Sequence, residues 1–253
     1  MTTVHIVTDA QEGGEVAARE LARVIAARES PVLGIATGST PQTTWRALAD
    51  RGLDLGRARA FALDEYLDIA DGHPESYRAV VDREVVAPLG MDRAHVRTPG
   101  DDGKDEDAPA RYERDIAAAG GVDVQVLGIG TNGHIAFNEP GSSLASRTRI
   151  ARLTEQTRRD NARFFDTPDD VPTLCITQGI GTILEARRIV LIAYGEGKAA
   201  AVAAALEGPV TAAVPGSALQ LHRDVTVVLD QAAASSLRYA QTHLARPDAL
   251  ARA

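Results

Sequence analysis

An α/β fold, with a mostly parallel twisted sheet and helices on both faces in a Rossmann-like arrangement, follows from two features of the sequence. Short β-branched runs alternate with longer helical patterns along the whole chain, which is the order a parallel sheet with crossover helices requires. The 253 residues, 44% of them hydrophobic, suffice for one buried core and contain no linker long enough to divide them, so residues 1–253 are expected to form a single domain.

The elements follow in order. VHIVT (4–8) reads as the first strand. GEVAARELARVIAARE (14–29) follows as a helix, with Val16, Leu21, Val24 and Ile25 near helical spacing. VLGIA (32–36) is a second strand, and it runs into the loop ATGSTPQTTW. There Thr40 followed by Pro41 reads as an N-cap and first helical residue, which turns the Gly38, Ser39 and Thr40 amides and hydroxyls outward at a helix start. Such a place suits a phosphate, and an ordinary capped turn is the competing reading.

RAFAL (59–63) is a third strand, ending in Asp64, Glu65 and Tyr66. Alternation along a strand lets only one of the two carboxylates face a cleft, where burial would raise its proton affinity and suit it to act as a base. The acidic GDDGKDEDAP (100–109) is a solvated loop leading to a helix. VDVQVLGIG (122–130) is a buried strand that opens into the glycine-rich GIGTNGHIAFNEP. There Gly128, Gly130 and Gly133 allow close backbone approach to a ligand, and His134 and Glu139 supply an imidazole and a carboxylate within one turn. A metal site of Asp64, His134 and Glu139 is the alternative, but no ligand spacing favours it, and no metal is expected.

RIVLIAYG (188–195) and VTVVLD (225–230) are the last strands, and between them GKAAAVAAALEG is a helix stopped at Gly208. Lys198 opens that helix; it and Arg163 are candidate phosphate contacts. His222 receives no role from its spacing. The tail THLARPDALARA is expected to be loosely held.

Composition narrows the function classes. With 27 basic and 35 acidic side chains the net charge is -8, and no basic tract offsets it, so nucleic acid is not an expected partner. The one cysteine, Cys175, excludes an internal disulfide and suits a reducing cytoplasm. No leader-like start and no run of about 18 apolar residues is present, so no membrane contact is expected.

Taken together, TGSTPQTTW, FALDEYLDI, HPESY, GIGTNGHIAFNEPGSSLASRTRI, TRRDNARFF, GIGTILEA, GEGKAAAV and SALQLH resemble the glucosamine-6-phosphate deaminase family, in family order over residues about 5 to 235. The 6-phosphogluconolactonases share the fold but differ where this chain has Phe137-Asn138-Glu139-Pro140. The resemblance implies a cofactor-free reaction in which glucosamine 6-phosphate and water give fructose 6-phosphate and ammonia. By that resemblance His134 assists ring opening, Asp64 takes the C2 proton, and Glu139 orients His134. Asn132 stands where some members carry Asp; it could still hydrogen-bond the imidazole but supplies no charge. Thr37, Gly38, Ser39, Thr40, Arg163 and Lys198 match the family's phosphate-binding positions. The partner is thus a small amino sugar phosphate. Galactosamine 6-phosphate as substrate, or a non-catalytic sugar-phosphate sensor, are the alternatives, and a homo-oligomer is compatible with the family. Allosterically activated members hold N-acetylglucosamine 6-phosphate with serines, an arginine and a lysine. This chain keeps Ser142, Ser143 and Arg149 but has Ala151 at the lysine position, and Arg152 would face the opposite side of a strand, so little activation is expected.

Overall fold

A computed structural model describes residues 2–70 and 72–239, so the expectation for the tail 242–253 lies outside the described residues. The strands are β1 (Thr2–Val7), β2 (Val32–Ile35), β3 (Arg59–Ala62), β4 (Asp64–Tyr66), β5 (Val96–Arg97), β6 (Val124–Leu127), β7 (Arg149–Arg152), β8 (Leu174–Thr177), β9 (Arg188–Ala193) and β10 (Val225–Asp230). The helices are α1 (Ala10–Ala26), α2 (Gln42–Ala49), α3 (Tyr77–Val81), α4 (Ala87–Leu89), α5 (Ala108–Ala118), α6 (Glu155–Asn161), α7 (Ile180–Leu184) and α8 (Ala199–Glu207).

All the strands read from the sequence lie in one seven-stranded sheet of order β1-β10-β9-β6-β2-β3-β5. Every pairing in it is parallel. Every residue of β2 and β6 is buried, as is all of β9 and β10 except one terminal residue each. Successive side chains point to opposite faces, so both faces are covered, as the near-continuous apolar runs require. Among the described residues no helix is long and apolar enough to cross a membrane.

Local chemistry shifts several boundaries. α1 starts at Ala10, ahead of the periodic stretch, because the Asp9 side chain caps it by accepting from the Glu12 amide at 2.9 Å. Thr40 is not the cap of α2: Pro41 occupies the N-cap position with helical backbone and no side-chain cap bond, and the helix begins at Gln42. Gly208 does stop α8, in an extended rather than a left-handed conformation.

The sequence did not signal a second, three-stranded sheet, β4-β8-β7, whose pairings are antiparallel. The chain changes sheets at Leu63. Its amide still bonds Ile35 O at 3.0 Å, whereas Asp64 already pairs with Thr177. DEY, RIAR and LCIT are too short for a period to show in the sequence.

Gly34 marks the tightest point of the large sheet. A Cβ there would lie 2.0 Å from Gln125 Oε1, and the Gln125 amide is tied by its Nε2 to Val126 O at 2.9 Å. Gly34→Ala should therefore cost about 1–3 kcal/mol in urea unfolding, the usual penalty of overpacking. A loss of only a few tenths would show that the glutamine can swing clear.

Candidate active site

β2 and β6 are neighbours in the sheet, but β2 leads on to β3 at one side while β9 flanks β6 at the other. The loops leaving their carboxyl ends diverge there and open a crevice, the usual ligand position in such sheets. A cleft of about 350 Å³ occupies it, lined by the Thr37–Thr40 loop, Asp64, the Gly128–His134 loop, Tyr77, the end of α6 and Lys198.

One end is built for an anion. Gly38 has φ +92, a left-handed backbone that a side chain disfavours, and this turns the loop toward the cleft ahead of α2. Arg163 reaches over from the turn after α6 and donates from Nη2 to Ser39 Oγ at 3.3 Å. Lys198, half-buried at the start of α8, has its proton affinity lowered by desolvation, with Asp160 opposing and Arg163 adding to the shift. Among the described residues neither Arg163 nor Lys198 is in an ion pair. Both remain available to a phosphate.

The adjacent carboxylates of β4 have opposite surroundings. Glu65 accepts the amides of Tyr66 at 2.7 Å, Tyr77 at 2.9 Å and Arg78 at 2.8 Å, fastening the start of α3 to β4. It is the structural member of the pair. Asp64 lines the cleft, is 6% exposed, and accepts no hydrogen bond among the described residues. Burial, with the Glu65 charge beside it, pushes its carboxyl well above the usual range.

His134 stands on the loop after β6. A Cβ at Gly130 would meet its ring carbon Cε1 at 2.2 Å, so glycine there is what makes room for the imidazole. Nearby Ala136 has φ +49, the one non-glycine residue with positive φ among those described, so backbone strain is stored beside the site. Nδ1 of His134 faces Glu139 Oε2 at 3.6 Å, within ion-pair range but long for a hydrogen bond. Burial would raise the Glu139 carboxyl, but His134, Thr157 and Asn132 outweigh it and hold the group at about 2.

Asn132 does not bond the imidazole, contrary to the sequence expectation. Its Nδ2 donates to Glu139 Oε2 at 2.8 Å and its Oδ1 accepts the His134 backbone amide at 3.1 Å. It and Glu139 lie behind His134 and do not line the cleft. No group of three or more His, Cys, Asp or Glu side chains among the described residues is arranged to hold a metal ion. His222 is buried between the carbonyls of Asp224 at 2.9 Å and Ala186 at 2.8 Å, a structural arrangement.

Sequence reasoning gave no individual role to the residues that close the cleft from α3 and α6. Tyr77 lines it, stacks on Phe137 with centroids 5.9 Å apart and bonds the Tyr66 hydroxyl at 3.2 Å. Asn161 donates to that same hydroxyl at 3.1 Å, and Asp160 accepts from Thr131 Oγ1 at 3.2 Å. These polar side chains stand three or four residues from Thr157 or Arg163 on one short helix and its following turn. That spacing is the signal that could have grouped them. In the segment after the loop, Arg149 donates to Asn138 at 2.8 Å and to Ser142 at 3.0 Å. Ala151 packs against the small apolar cluster of Tyr66, Phe137, Leu153 and Cys175, while Arg152 is exposed on the other face of β7.

Residues 8–228 match the family of glucosamine-6-phosphate isomerases and 6-phosphogluconolactonases. The chain is 55% identical over 257 residues to a glucosamine-6-phosphate deaminase of Streptomyces avermitilis, covering 97% of this chain and 98% of that protein. It is 52% identical over 263 residues to one of Bifidobacterium longum, covering 96% and 97%. Among solved structures, a monomeric glucosamine-6-phosphate deaminase superposes with a TM-score of 0.89 at 40% identity, over 92% of this chain and 99% of that one. A 6-phosphogluconolactonase of Trypanosoma brucei superposes at 0.75 with 21% identity, over 94% and 99%, and shares the fold.

The Asp64 environment has a cost that can be measured. Its folded proton affinity is raised above the ordinary value of 3.8, so the folded state holds a proton that the unfolded chain releases. The penalty is absent below pH 3.8 and grows as pH rises through the folded value. Asp64→Asn should therefore raise the thermal midpoint at pH 7 to 8, with the gain fading toward pH 4. An equal gain at both pH values would contradict this origin.

Proposed function

This chain belongs to the family of glucosamine-6-phosphate isomerases and 6-phosphogluconolactonases, and within it we propose a single-domain glucosamine-6-phosphate deaminase that converts glucosamine 6-phosphate and water to fructose 6-phosphate and ammonia. The observation that carries this reading is Asp64, a buried carboxylate that accepts no hydrogen bond among the described residues, in the same cleft as an anion anchor and an imidazole. A sensor would need only the anchor. The close deaminase relatives support the same choice.

In this scheme the phosphate is held by the Thr37, Gly38, Ser39 and Thr40 loop with Arg163 and Lys198. His134 moves a proton between the anomeric hydroxyl and the ring oxygen, and the pyranose opens to an aldehyde. Glu139, ionised at neutral pH, stabilises the imidazolium formed on the way. Asp64 then removes the C2 proton, which is returned to C1. The C2 amine is left as an imine, and water replaces its nitrogen to give the ketose and ammonia. The protein groups suffice for these proton transfers, and the scheme uses no cofactor. Asp64 must be ionised to act, so its burial sets the acid limb of activity above the ordinary carboxylate range. Its lone, fully buried Cys175 accords with a cytoplasmic enzyme.

Purified protein should release ammonia and fructose 6-phosphate from glucosamine 6-phosphate, and should release ammonia from it faster than from galactosamine 6-phosphate. The saturation curve should be hyperbolic, and N-acetylglucosamine 6-phosphate should change it little. Asp64→Asn should lower turnover by about 10²- to 10⁴-fold, the usual worth of a general base, and abolish solvent deuterium uptake with it. Full activity in that variant would remove Asp64 from the role.

Lys198→Ala and Arg163→Ala should each raise KM for the phosphorylated sugar by about tenfold or more with a smaller change in kcat, since a charge-assisted contact to a non-reacting group is worth roughly 1.5–3 kcal/mol. Equal kinetics for glucosamine with and without its phosphate would refute the assignment of this end of the cleft.

A further inference from the structure

The carboxylate behind His134 is held from two directions. Oε2 faces the imidazole and accepts from Asn132 at 2.8 Å. Oε1 accepts the hydroxyls of Thr154, at 3.1 Å, and of Thr157. Thr154 is the N-cap of α6, and its hydroxyl also accepts the Thr157 amide at 3.2 Å, so the first turn of that helix closes around one carboxylate oxygen. Thr157 is buried, 2% exposed, at the edge of the cleft. Two turns further on, the same segment presents Arg163 to Ser39. One continuous stretch of chain thus grips the carboxylate at its start and the anion loop at its end.

We infer that Thr157 is a positioning residue of the acid–base pair. Its hydroxyl fixes Glu139 with Oε2 turned to His134, and through α6 it transmits occupancy of the anion end to the imidazole. The inference rests on the proposed deaminase reading for its kinetic arm only. Rotation of the Glu139 carboxylate would leave His134 without its counter-charge, and the 3.6 Å separation leaves little overlap to lose. A threonine-to-valine exchange keeps shape and removes only the donor, so it separates orientation from packing.

In Thr157→Val, kcat for glucosamine 6-phosphate should fall about tenfold or more while KM stays within about a factor of two, since the hydrogen bond that is lost goes to the charged Glu139 carboxylate. Thr157→Ser should recover most of the rate. Independently of turnover, inorganic phosphate should shift the ring ¹⁵N resonances of His134 in the wild type. In Thr157→Val that shift should shrink although phosphate still binds by calorimetry. Wild-type kcat in the valine variant, serine as damaging as valine, or equal phosphate shifts in both proteins would each overturn the inference. Should the valine variant not fold, a wild-type His134 signal indifferent to phosphate overturns it alone. Absence of turnover by the wild type would count against the deaminase reading, and the phosphate titration would still decide the role of Thr157.

Discussion

The three backbone amides gathered by Glu65 are the constraint from which the rest of the site follows. Burying a carboxylate is costly unless its lone pairs are met, and here Tyr66, Tyr77 and Arg78 meet those of Glu65. The bonds fasten the small sheet to the start of α3, and so bring Tyr77 over the cleft. They also fix the facing of β4. With Glu65 turned to the amides, the pleat turns Asp64 the other way, into the crevice, where no described residue donates to it. The same pair of residues therefore contains one carboxylate that secures the structure and one that remains unsatisfied. The unsatisfied one is pushed well above the usual carboxylate range, because desolvation and its neighbour's charge both act against ionisation.

Glu139 shows the opposite outcome from similar burial. Its desolvation is outweighed by His134, two threonine hydroxyls and an asparagine amide, and its proton affinity falls instead of rising. Two carboxylates in one small region thus hold their protons at widely different pH, and this separation assigns them different work. A group that stays charged suits electrostatic support of an imidazolium. A group whose proton affinity is raised by burial suits abstraction from carbon. The strained Ala136 and the glycine at 130 belong to the same arrangement, because both let the loop bring the imidazole forward while its support stays behind it.

How much of this was legible in the sequence depended on the range of the interaction. Six strands of the seven-stranded sheet were readable because most of them are buried on both sides and appear as apolar runs such as RIVLIA, whereas β5, only two residues long, gave no signal. The facing of Asp64 against Glu65 was readable as an alternative, since alternation is local, but only the amides of α3 decided it. β4, β7 and β8 were not readable, because three or four residues with mixed polarity carry no period. The cap of α2 was misread by one residue: Thr40 and Pro41 fit the N-cap and first-position preferences, yet the helix begins at Gln42 with Pro41 before it and no side-chain cap bond. The contacts of Asn132 were misjudged for another reason. Its amide could reach the ring or the carboxylate, and nothing in the order of residues says which is nearer.

That choice changes what the asparagine does. A carboxylate at position 132 would bring a second negative charge to the region, and with Glu139 already ionised the two would repel. Asparagine donates to Glu139 instead, and its carbonyl takes the backbone amide of His134, so one side chain ties the carboxylate and the imidazole-bearing backbone together without charge. The charge facing the imidazole then resides on Glu139. Its orientation rests on neutral donors, the amide of Asn132 on one oxygen and the hydroxyls of Thr154 and Thr157 on the other. In such a site the strength of the pair is set by alignment and not by the number of charges, and alignment is contributed by α6, whose following turn holds Arg163 against the Ser39 loop.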